Sequence, residues 1–168
     1  MRTVHLAALL PAILAFAAAA PASAENVPAD KLQALADLMP AAPAGFTRQP
    51  RLGTYSSASA STATATYESE DGKGFEVVVT FSADNAKQNR DLLKDKAQRD
   101  MFGVEPGKVK SRDALVRKAD NKNASVAVFV VVLSDRRVVS ITDSFGNADP
   151  AVLRAVLESA DFDAIAKR

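Results

Sequence analysis

From Gly107 to Lys122 the chain carries six basic residues and two acidic ones. Lys108, Lys110 and Arg112 alternate, so a single extended strand would put all three on one face. Arg117, Lys118 and Lys122 follow. Such a strip can dock an acidic protein partner, an anionic glycan or a lipid head group. The same strip can also guard an edge strand, because lysines there discourage sheet-to-sheet pairing. Edge protection is the commoner use. If the strip binds a partner, the residues that carry it are Lys108, Lys110, Arg112, Arg117 and Lys118.

A second group is acidic. Glu68, Glu70 and Asp71 lie beside an Asp71-Gly72 pair. Paired carboxylates can hydrolyse glycosides or hold calcium. The spaced-aspartate calcium loop pattern is missing, however, and a solvated turn accounts for these residues more simply. A third candidate is the segment Asp143-Ser144-Phe145-Gly146-Asn147, which precedes a helix start where backbone amides could hold an anion. Asp149 already fills the capping role, and its charge repels an anion. Asn123-Ala124-Ser125 matches a glycosylation triplet and is read as chance. Gly72-x-Gly74 belongs to a hairpin and is no dinucleotide site.

Absent residue types restrict the chemistry further. The sequence has no cysteine and no tryptophan, and its one histidine is His5. His5 falls inside a stretch that reads as a secretory signal peptide. Arg2 gives the positive start, Leu6 to Ala20 is apolar apart from Pro11, and Ala22-Ser23-Ala24 supplies the small residues of a cleavage site. The expectation is export by a Sec-type route, cleavage after Ala24, and a periplasmic or secreted product of 144 residues from Glu25 to Arg168. That product would carry 20 basic and 20 acidic residues. A neutral chain is not suited to general nucleic-acid binding, and no later stretch is long and apolar enough for stable membrane insertion. Without histidine or cysteine, a Ser-His-Asp or Cys-His nucleophile is excluded. Zinc and copper lose their usual ligands. The expectation is a protein that is not an enzyme, with no catalytic residue, cofactor or metal assigned.

The elements that would position these residues can be sketched from periodicity. Asn26-Val27-Pro28 opens a helix whose Leu32, Leu35, Leu38 and Met39 recur at helical spacing until Pro40. Ala58 to Glu70 reads as a strand of small and β-branched residues. Asp71 to Gly74 turns it into a second strand with Phe75, Val77, Val79 and Phe81 on one face. Asp84 and Gly103 bound one amphipathic helix from Asn85 to Phe102. Val109 to Lys118 reads as a strand pair, or as a strand with a turn at Arg112-Asp113. Val126 to Leu133 is apolar on both faces, as a central strand is, and Val138 to Asp143 returns beside it. Asp149-Pro150 starts a final helix. The order predicts one α+β domain, an antiparallel sheet flanked by helices.

Three stretches carry a resemblance: Leu35-x-x-Leu38-Met39-Pro40, Pro43-x-Gly45-Phe46, and the small-residue strand ending in Ala65-Thr66-Tyr67. With the ending Ala160-Asp161-Phe162-Asp163-Ala164-Ile165, the chain resembles an uncharacterised family of proteobacterial periplasmic proteins. The layout also resembles the PsbP/Mog1-type α/β/α sandwich. The resemblance implies that fold and a non-catalytic accessory role, and it carries no functional residue across. The expected function is therefore binding of a protein or envelope partner. Alternatives are carriage or sensing of a small apolar ligand between the sheet and a helix, and a carboxylate-based hydrolase.

Overall fold

The computed structural model describes residues 26–119, 121, 127–143 and 148–168. The expected signal peptide, Lys122, the Asn123-Ala124-Ser125 triplet, Val126 and the loop Ser144 to Asn147 lie outside the described residues.

Eight strands form one wholly antiparallel sheet. They are β1 (Phe46–Arg48), β2 (Gly53–Ser56), β3 (Ser61–Ser69), β4 (Gly74–Phe81), β5 (Val104–Val109), β6 (Arg112–Arg117), β7 (Phe129–Val132) and β8 (Arg137–Asp143). The order across the sheet is β1-β3-β4-β8-β7-β6-β5, with β2 also on β3. β1 and β2 lie end to end along β3, pairing with its last and first residues respectively. The helices are α1 (Ala29–Gln33), α2 (Ala83–Lys94), α3 (Lys96–Phe102), α4 (Pro150–Ser159) and α5 (Phe162–Lys167), with a 3-10 turn at Ala36–Leu38. The fold is a single α+β domain, as its sequence predicts.

Alternation sorts the side chains by face. Ala63, Ala65, Tyr67, Phe75, Val77, Val79, Phe129, Val131, Val139 and Ile141 point to one side. There they meet Leu32 and Leu35 of the N-terminal segment and Leu153, Leu157, Phe162 and Ile165 of α4 and α5. On the other side Leu92 of α2 packs with Val104 and Leu115, and Val130 leans on that cluster. Helices thus pack on both faces, on one of them only over part of the sheet. β7 lies between β6 and β8 and is packed on both sides, as an all-apolar strand requires.

Four elements differ from the periodicity reading. The helix read through to Phe102 breaks at Asp95, whose extended backbone (ψ 105°) ends α2 and whose carboxylate caps α3 by accepting from the Gln98 N–H at 3.1 Å. Aspartate competes with helical hydrogen bonding in this way. Ser82, not Asp84, caps α2 by accepting from the Asn85 N–H. The N-terminal helix shortens to α1 and a 3-10 turn. The turn expected at Arg112-Asp113 lies at Lys110-Ser111, with Lys110 at a positive φ of 52°.

Candidate functional site

The shift of that turn changes the geometry of the basic strip. Lys108 stands on β5 directly opposite Asp113 of β6. Arg112 opens β6 beside Val109, so alternation places it on the opposite face from Lys108. The three residues expected on one face are therefore a strand residue, a turn residue and a strand residue of the other face. Their charges are engaged within the chain. Lys108 Nζ donates to Asp113 Oδ1 at 2.9 Å. Lys110 Nζ donates to the Ala160 carbonyl at 2.8 Å and lies 5.5 Å from the centre of the Phe162 ring. Arg112 pairs with Asp163 and also donates to the Leu133 carbonyl. Lys118 Nζ donates to Asp100 Oδ1 at 2.7 Å.

The strip therefore straps helices to a sheet edge. Arg154 adds to the strap: it donates to the Lys108 carbonyl at 2.8 Å and lies over the Phe129 ring at 5.3 Å. β5 is the outermost strand on its side. It carries Pro106, which has no N–H to offer, and Lys108, and both discourage pairing with another chain.

Arg117 has a different setting. With Lys118, Glu105, Asp143, Phe129 and the start of α4 it lines a cavity of about 460 Å³. Two carboxylates, Glu105 and Asp143, share that concavity. They belong to β5 and β8, with β6 and β7 between them. Asp143 is moreover buried and accepts from the Ala148 N–H at 3.2 Å, holding the approach to α4.

The acidic turn is also accounted for locally. Glu68 accepts from Gln49 Nε2 at 3.0 Å. Asp71 receives Lys73 Nζ at 2.6 Å and the Ser69 hydroxyl at 2.5 Å. These two hydrogen bonds, that from Lys73 foremost, hold its carboxyl down to about 2. A group so acidic is ionised at neutral pH and cannot donate a proton there. Asp100 is likewise held down to about 2, by Lys118 first and Lys96 second. Among the described residues no three Asp, Glu, His or Cys side chains converge at metal-ligating spacing.

The small residues of β3 do not wall a pocket on the core side. Ala63 and Ala65 are fully buried in the main core, where they let the opposite layer approach. Tyr67 stacks on Phe75 at 4.6 Å and donates its hydroxyl to the Pro40 carbonyl.

One surface was not singled out by any motif. α2 packs on β6, β7 and β8, and α3 on β5. On that same face, no helix among the described residues packs over Thr62, Thr64 and Thr66 of β3 or Val78 and Thr80 of β4. Register extends the patch through Gly53 and Tyr55 of β2, opposite Thr64 and Thr62, and through Ser140 of β8, opposite Val78. Tyr55 is 64% exposed. From Leu52 to Tyr67 the sequence has no charged residue, and the only carboxylates on this face of β3 and β4 are Glu68 and Glu76, toward one end. That uncharged run was the one signal in the sequence for this surface.

No family model, curated protein or solved structure matches this chain.

Proposed function

We propose that the chain, freed of its signal peptide, is a periplasmic or secreted accessory domain that binds a protein or envelope partner and does no chemistry of its own. The observation that carries this reading is the half of the sheet face over which no helix packs among the described residues. Solvated sheet faces alternate in charged and polar residues, whereas this one offers threonine, valine, serine and an exposed tyrosine. Loss of charge with enrichment in tyrosine is the composition of an interface centre. The partner that fits is a protein surface equally poor in charge. The basic strip is left out of this docking surface because its charges already hold the helices and the edge strand.

A photo-activatable cross-linker at Thr64 tests the proposal. It should capture one stoichiometric species in the envelope fraction, and Tyr55→Lys should abolish the capture. The same cross-linker at Lys87, on the exposed side of α2, should capture nothing. Equal capture at both positions, or none at Thr64, would overturn the assignment.

A second reading, carriage of a small ligand, draws support from the cavity beside Val116, Val128 and Phe129. Its size falls within the range of ligand sites. Native mass spectrometry of freshly purified protein should then show a co-purified mass, and its absence would remove this reading.

A further inference from the structure

The chain contains three methionines and no cysteine. Met1 belongs to the expected signal peptide. Met39 is 5% exposed and sits in the main core with Leu32 and Leu35. Met101, on α3, is 74% exposed. Its neighbour Phe102 is also exposed, so the two make a small apolar patch.

α3 does not depend on the Met101 side chain for its place. Asp100 bridges to Lys118, and the Lys118 N–H donates to the Gly103 carbonyl. Asn121 Nδ2 donates to the carbonyls of Phe102 and Gly103. These bonds are made by the backbone and by polar side chains. A change of polarity at the Met101 sulfur leaves each of them in place.

We propose that Met101 is a reversible oxidation site of the folded protein, accepting an oxygen atom from a peroxide. In the step, a sulfur lone pair attacks one peroxide oxygen. The S–O bond forms, the O–O bond breaks, and the proton of the transferred oxygen passes to the departing hydroxide, which leaves as water. The thioether loses two electrons and the peroxide gains them. The product sulfoxide is polar and chiral, so the Met101–Phe102 patch becomes half polar while the fold stays as it was. Met39 reacts only when the core opens. This inference stands apart from the docking face, which lies on β2, β3 and β4.

The test treats the folded mature protein with hydrogen peroxide and maps oxygen uptake by peptide mass. Met101 should gain one oxygen atom at least about tenfold faster than Met39, because burial admits the oxidant only through opening. The unfolding midpoint should not move while Met101 converts. A methionine sulfoxide reductase with a thiol reductant should restore the original mass. Met101→Leu should take up no oxygen on the same timescale. Equal rates at the two methionines, a midpoint that falls as Met101 converts, or a sulfoxide the reductase cannot reach would each overturn the proposal.

Discussion

The Tyr67 hydroxyl reaches the Pro40 carbonyl at 2.7 Å across 27 positions of sequence. Burial pushes its pKa up to about 12, against a smaller opposing effect of Arg48. Tyr67→Phe keeps the stack on Phe75 but orphans a buried carbonyl. It should cost about 1–2 kcal/mol, read as a lower urea midpoint with unchanged slope. The raised pKa also has a pH consequence. Its contribution is fully present below the unfolded value near 10 and is lost as pH rises toward 12. Absorbance titration should place the Tyr67 ionisation close to alkaline unfolding. Asp100 works in the opposite direction. Its depressed pKa stabilises above the unfolded carboxylate range and is lost as pH falls from about 4 toward 2. A carboxyl-carbon NMR titration should find its midpoint near 2. An exposed Asp100 between lysines at 96 and 118 is half legible in sequence, since Lys96 lies one helical turn away. Lys118 is supplied by the strand pair that follows.

Short elements and their caps make the next level. Gly103 ends α3 at a φ of +63°, and a Cβ there would lie 2.5 Å from Asn121 Nδ2. Gly103→Ala therefore strains the left-handed cap and displaces the Asn121 bonds to Phe102 and Gly103. A loss of about 1–2 kcal/mol is expected, measured as a fall in Tm beside the wild-type chain. This cap was legible, as were Asp149-Pro150 and the Asp71-Gly72 turn, because each is chemistry of adjacent residues. The break at Asp95 was less so: an aspartate amid good helix formers reads as a surface residue until its carboxylate is seen taking the Gln98 amide. The hairpin turn moved because Lys110 adopts a positive φ that its residue type does not favour. Its hydrogen bond to the Ala160 carbonyl and its ammonium over the Phe162 ring help hold it there. The short strands β1 and β2 were missed, since four residues such as Gly53-Thr54-Tyr55-Ser56 become a strand only by pairing with β3. The bare face went unseen for the same reason: its threonines matter through what does not cover them.

Across the whole molecule the sheet is two strand groups joined at one seam. β1 to β4 form one side, β5 to β8 the other, and β4 meets β8 along seven residue pairs from Phe75–Asp143 to Phe81–Arg137. The fold class was legible from the sequence of periods, but this order was not, because pairing between distant strands leaves no local trace. Amides of Val77, Val79, Val139 and Ile141, central in the core, should exchange with deuterium only through global unfolding. Those of β2, exposed along its length, should exchange through local opening. Comparable rates in the two strands by NMR would contradict that ordering. The seam also governs how the chain must be made. Any chain still ending before Arg137 has the β3–β4 hairpin finished and the neighbour of β4 missing. Phe75 to Phe81 then stands as a free edge without proline or lysine to guard it. Until the segment from Arg137 onward arrives, that edge stays open to another copy of itself, and dilution or a chaperone is what keeps the two apart.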